Sequence, residues 1–203
     1  NLEYNLNFIF PLMGEIAQKL NQHKIFIPSS GSVAGNYSRV DLNRGVWKSP
    51  AGLKINSITK TAYAIQSSDE IIMMNERNGK YINPIKYLNG SGIIIWGART
   101  LTTGIEWRYI ANRRFVNYID ESIKKSINRI GLTENSPNTW GDIKSMIGNF
   151  LLSTWHQGAL QGKKPAEAYF VKVGLGETMT IQDIEGRRLI IEIGVAIQRP
   201  GEF

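Results

Sequence analysis

The chain has no cysteine and only two histidines, His23 and His156, in 203 residues. Without thiols there is no disulfide framework, thiolate nucleophile, iron–sulfur cluster or zinc ribbon. Two histidines so far apart do not make a His-rich metal site, so neither a metal nor another cofactor is expected. Proline is scarce, at seven residues, and no Pro/Ser tract, low-complexity segment or internal repeat breaks the chain. No apolar run approaches the ~20 residues that span a bilayer, and membrane insertion is not expected. The opening Asn1–Met13 stretch has Glu3 and no Lys or Arg ahead of its apolar residues, which makes it a poor signal peptide.

Acidic residues are the minority charge. Lys and Arg number 24 against 17 Asp and Glu, a net charge of +7. Residues 1–104 carry 11 basic and 6 acidic side chains, 105–164 carry 9 and 5, and 165–203 carry 4 and 6. The basic excess therefore belongs to the body of the chain, and its last fifth is slightly acidic. The pairs Arg113-Arg114, Lys124-Lys125, Lys163-Lys164 and Arg187-Arg188 are of the kind that holds a phosphate backbone. They are interleaved with acids, so a solvated surface is the simpler reading. A basic nucleic-acid-binding structural protein remains the alternative.

Hydrophobic periodicity predicts two long helices. From Arg114 to Ile130, Phe115, Ile119, Ile123 and Ile127 recur at every fourth position, opposite a face of Asp120, Glu121, Lys124, Lys125 and Arg129. From about Thr139, the expected N-cap, to Leu160, one side carries Trp140, Ile143, Ile147, Phe150, Leu151 and Trp155. Shorter helices are predicted over Leu12–Asn21 and from Ser29 or Ser30 to Leu42. Ile93–Trp96 reads as a buried strand between Gly92 and Gly97. Ile55–Ile65, Ala168–Val173 and Arg187–Gln198 read as further strands. The fold class is α+β: a mixed sheet packed against two long amphipathic helices and shorter helices.

No motif for chemistry survives inspection. Gly158-Ala-Leu-Gln-Gly162-Lys163-Lys164 has the wrong spacing for a phosphate loop and follows a helix instead of opening one. Gly90-Ser-Gly92 precedes its strand, and Gly174-Leu-Gly176 lacks a third glycine. The carboxylate pairs Asp69/Glu70, Asp120/Glu121 and Asp183/Glu185 suit a helix start, a solvated face and a turn. No catalytic residue is assigned, and the chain does not read as an enzyme. Trp47, Trp96, Trp140 and Trp155 fall in or beside apolar patterns and read as core, with Arg99 as scaffold.

Three stretches are more particular. They are Ile27–Asp41 (IPSSGSVAGNYSRVD) running into Arg44–Gly52 (RGVWKSPAG), then Gly92–Leu101 (GIIIWGARTL), then Ile193–Phe203 (IGVAIQRPGEF). Between the last two come Trp107–Arg114 (WRYIANRR), Tyr118–Ile123, Phe150–Leu152, Trp155, Gly158–Gly162 and Pro165–Phe170, in that order. This ordered set resembles the contractile tail sheath family of myophage tails, R-type pyocins and phage-like injection systems, over about residues 26–203. Arg129–Asn138 (RIGLTENSPN) departs from the family, whose Trp-containing strand and Glu-Pro-Asn turn usually stand there.

The resemblance implies a structural subunit of a bacteriophage, prophage or injection-system tail. Such subunits form a homo-oligomer of six-membered rings in a helical array around an inner tube protein, with a baseplate and a tail terminator at its ends. Contraction then drives the tube through a target envelope, and assembly takes place in the bacterial host cytoplasm. It also implies that residues 1–203 are a single C-terminal-type domain from a longer subunit, with 187–203 as a C-terminal strand and shortened arm. Terminal strands knit such subunits together, so Ile193, Val195, Ile197, Arg199, Glu202 and Phe203 are the expected inter-subunit strand. Lys124, Lys125, Arg129, Lys163 and Lys164 are the expected tube-facing cations.

Overall fold

In chain order, the computed structural model contains α1 (Pro11–Gln22), α2 (Ser29–Arg44), α3 (Ser67–Met74), β1 (Ile85–Leu88), β2 (Gly92–Ile95), α4 (Ile110–Ile130), α5 (Pro137–His156), α6 (Pro165–Ala168), β3 (Tyr169–Lys172), α7 (Ile181–Glu185) and β4 (Glu192–Val195). It describes residues 10–22, 25–56, 58–74, 80–102, 104–130 and 134–198. The class is α+β. The chain divides into two compact units, Asn1–Gly31 and Ser32–Phe203. In the first, α1 places Leu12, Ile16 and Leu20 at helical spacing and leaves all three exposed.

The core of the second unit is built by the two long helices, as their periodicity requires. Phe115, Ile119 and Ile123 of α4 and Ile143, Ile147 and Leu151 of α5 are buried in one cluster. Side chains of this size each contribute about 1.5–3 kcal/mol on full burial. Trp47 packs edge-on against Phe115, with ring centroids 6.0 Å apart. The chain reaches Trp47 through Gly45, whose φ of +92° is left-handed. A Cβ at Gly45 would lie 2.5 Å from the indole ring, so both backbone and space demand glycine there.

The helix boundaries differ from expectation for local reasons. α5 is capped by Ser136, not Thr139: the Ser136 hydroxyl accepts from the Thr139 N–H at 3.5 Å, and Pro137 opens the first turn. Proline suits that position because its missing N–H has no helical partner there. At the other end, α5 stops at His156. The Gly158 N–H then turns back to the Trp155 carbonyl and Leu160 leaves to bridge Ile197.

The strands form two small antiparallel sheets. In the first, β1 pairs with β2 in the register Ile85↔Ile95 to Leu88↔Gly92. On the far side of β2, Gly52 and Ile55 donate to the Ile95 and Ile93 carbonyls. The predicted strand Ile55–Ile65 is therefore reduced to this brief pairing, with a single bridge at Lys54. In the second sheet, β3 pairs with β4 from Tyr169↔Val195 to Lys172↔Glu192. The predicted strand from Arg187 starts late because α7 and its turn occupy the preceding residues. α7 carries a reciprocal cap in which Thr180 and Asp183 satisfy each other's backbone N–H groups.

Candidate assembly surface

The β3–β4 sheet has one dry face and one wet face. Val171 is buried, and Tyr169, Ile193, Val195 and Ile197 pack against the helical core. On the opposite face Phe170 lies across Gly194, where a Cβ would stand 2.0 Å from the ring. The Lys172 ammonium sits 4.9 Å from the Phe170 centroid and 3.8 Å from Glu192. Glycine at 194 thus lets an aromatic ring cover its own sheet.

The register also fixes which backbone groups point outward. The Ala196 N–H donates to the Ala168 carbonyl at 2.8 Å. Residues 170 and 194, and 172 and 192, are therefore the mutually bonded pairs, since bonded and non-bonded pairs alternate along an antiparallel ladder. Ile193 and Val195 direct their N–H and C=O groups away from β3. Among the described residues nothing pairs with them, so β4 presents an open edge. On the β3 side, the Tyr169 N–H is already taken by the Pro165 carbonyl of α6.

Three of the expected strand residues are thus brought together along β4 and its extension. Ile193, Val195 and Ile197 are anchored inward by their side chains, and what Ile193 and Val195 leave unpaired among the described residues is backbone. Arg199, Glu202 and Phe203 lie outside the described residues. The turn bearing Lys163 and Lys164 abuts the same strand: the Gln161 N–H donates to Ala196, and the Trp155 indole N–H holds the Gly162 carbonyl at 3.0 Å. The Lys163 N–H is fixed by Glu167 at 2.9 Å, and both lysine side chains are exposed.

The other expected cations stand on the exposed face of α4. Lys124 pairs with Asp120 at 2.8 Å, and the hydrogen bond to that carboxylate holds the ammonium above its ordinary value. Lys124 therefore stays charged and is already engaged by Asp120. Glu121 and Lys125, at the same spacing, do not close into an ion pair, and Lys125 and Arg129 are exposed and unpaired among the described residues.

Trp96 and Arg99 are scaffold. The Lys86 ammonium lies 4.0 Å above the Trp96 ring and pairs with Glu70. Asn83 bonds the Arg99 backbone at both N–H and C=O, and the Arg99 guanidinium donates to the Met74 carbonyl at 2.8 Å. Sequence reasoning missed one tie, Asp41 to Arg114 at 2.9 and 2.6 Å, because two charged residues 73 positions apart carry no local signal. A shallow, open cleft of about 360 Å³ is lined by Lys54, Ile58, Tyr87 and the 90–93 turn, and holds no carboxylate or histidine.

Comparison with known proteins gives this surface its context. A family model described as the phage tail sheath C-terminal domain matches residues 102–203. A putative prophage major tail sheath protein of Pseudomonas aeruginosa (strain UCBPP-PA14) is 27% identical over 139 residues, 66% of this chain and 34% of that one. The sheath complex of the extracellular contractile injection system PVC, solved in its contracted state, is 37% identical. That match has a TM-score of 0.84 and covers 89% of this chain and 50% of that one. The helical sheath of the anti-feeding prophage, also contracted, is 38% identical with a TM-score of 0.79, over 87% and 48%. The fold is that of contractile sheath proteins. The chain belongs to the phage tail sheath C-terminal domain family, and it spans about half the length of these solved chains and about a third of the curated relative.

Proposed function

We propose that the chain is the C-terminal part of a contractile tail sheath subunit, a structural and non-enzymatic component of a phage tail or phage-like injection particle. It assembles with copies of itself around an inner tube, in rings of six stacked into a helical array between a baseplate and a terminator. Assembly takes place in the cytoplasm of the bacterial host. Contraction is a change between two packings of the same interfaces and requires no nucleotide. Residues 187–203 are the segment through which neighbours are joined, and Lys125, Arg129, Lys163 and Lys164 are the cations offered to an acidic tube, with Lys124 a weaker participant.

The observation that carries this reading is the open edge of β4, in a domain of the sheath family. An unpaired edge over an apolar strand invites strand addition from another chain. The test exploits the register. Val195→Pro removes an N–H that points outward and leaves the β3–β4 ladder intact, because proline is tolerated where the N–H faces away from the sheet. Gly194→Pro removes a ladder donor and serves as the unfolding control. By negative-stain microscopy of the subunit in its full-length context, V195P is expected to fold and fail to form sleeves. Normal sleeves from V195P would show that this edge is not the joint.

A further inference from the structure

Helix α2 has little apolar surface to hold it. Between residues 33 and 44 its aliphatic side chains are Val33, Ala34, Val40 and Leu42, and Ala34 is exposed. Val33 packs beside Ile55 and Ile93, Val40 is fully buried, and Leu42 is 87% exposed. The remaining ties are polar. The Asn36 side-chain amide donates to the Leu53 carbonyl at 3.3 Å, and Arg39 donates to the Asn36 side chain at 2.6 Å and to the Lys54 carbonyl. Toward α4, both oxygens of Asp41 accept from Arg114. The Tyr37 ring lies 5.0 Å from that guanidinium.

The two sides of this contact are unequally anchored. Arg114 is followed directly by Phe115, which is wholly buried in the helical core, so α4 has an apolar anchor of its own beside the pair. Helix α2 ends at Arg44; Gly45, whose left-handed φ turns the chain there, leads to Trp47, which is docked on Phe115. Elements with few buried apolar contacts open at lower free energy than the domain as a whole.

We propose that the 33–44 part of α2 is a clip that opens and closes on α4, pivoting at Gly45, with the Asp41–Arg114 pair as its latch. Opening uncovers Tyr37, Val40 and the first turns of α4, and leaves α5 and the β3–β4 sheet packed. A bidentate, charge-assisted pair is the strongest of the polar ties and the one whose loss shifts the equilibrium most. Because the ties lie within one chain, the device does not rest on the sheath reading.

Hydrogen exchange on the full 203-residue chain tests it, comparing wild type with Asp41→Asn, Arg114→Met, the double variant and Arg114→Lys. Asp41→Asn and Arg114→Met are each expected to speed exchange across residues 34–44 by about tenfold or more, the scale of losing a charge-assisted pair. Amides of 143–155 and 169–172 are expected to change by less than about twofold, as local opening requires. The double variant is expected to be no worse than either single one, and Arg114→Lys, which keeps charge without the fork, intermediate. Equal acceleration in 34–44 and 143–155 would mean the pair only supports global stability. No acceleration at all would mean it is no latch. Either result overturns the proposal.

Discussion

Truncating Phe115 to alanine probes the packing on which every surface feature depends. Its side chain is fully buried among Ile119, Ile143, Ile147 and Leu151, and it supports the edge of Trp47. Removing a buried aromatic ring costs about 3–5 kcal/mol, because the lost transfer energy is joined by that of an incompletely collapsed cavity. Against a total stability of about 5–15 kcal/mol, this is a large fraction. At about 2–4 °C per kcal/mol for a chain of this size, the expected fall in Tm is about 6–20 °C. Urea unfolding followed by far-UV circular dichroism is expected to show a lower midpoint with an unchanged slope, the mark of a stability change without a change in compactness. Tryptophan emission of the native state is expected to shift as water reaches Trp47. Phe115→Leu, which keeps most of the volume, is expected to cost less than about 1.5 kcal/mol. A cost below about 1 kcal/mol for F115A, with the slope unchanged, would refute the placement of this ring at the centre of the core.

Other substitutions test single links. Ser136→Ala removes the side-chain acceptor at the start of α5 and is expected to cost about 0.5–2 kcal/mol in thermal unfolding, whereas Thr139→Ala is expected to cost less. The Asp183 carboxyl is held below its ordinary value by hydrogen bonds from Thr180, side chain first. A depressed folded value means that the cap's contribution is present above the unfolded carboxylate pKa and lost as pH falls through the folded one. Protection factors in residues 181–188, referenced to the intrinsic exchange rate at each pH, are therefore expected to fall on acidification from pH 5 toward pH 2, and Asp183→Asn is expected to flatten that dependence. Reversal of Lys125 and Arg129 to glutamate is expected to weaken co-sedimentation with the tube protein at low salt without lowering Tm. Unchanged co-sedimentation would remove α4 as the attachment face.

The parts of the fold that can be read from sequence are those where one face of a periodic segment is buried. Phe115, Ile119 and Ile123, and Ile143, Ile147 and Leu151, were legible because helical spacing and burial coincide there. Strand reading failed where β-branched residues had no neighbour to pair with. Ile55 is buried against Ile93 and Ile95, but the chain leaves the sheet after it, so Ile58 and Thr59 form no strand. β-propensity measures fit to a half-buried pleated surface and cannot create the surface. β1 escaped notice because Lys86 interrupts its pattern, and only the fold reveals that its ammonium is absorbed by Glu70 and Trp96.

The proposed assembly surface was legible in a different sense. Ile193, Val195 and Ile197 were expected as an inter-subunit strand on the family resemblance, and their side chains face the helical core of their own chain. The open groups are the N–H and C=O of Ile193 and Val195, which every residue but proline possesses. No residue type can advertise them, so composition and spacing could not have found them. Which edge is open depends on strand order and on the parity set by one bond, Ala196 to Ala168. Only the ordered motifs pointed toward an assembly, because they reflect the whole fold. It follows that side-chain substitutions at 193 and 195 act mainly through stability. On the proposed strand addition, loss of the outward N–H is expected to act on assembly instead, and the two effects separate only in a variant such as V195P.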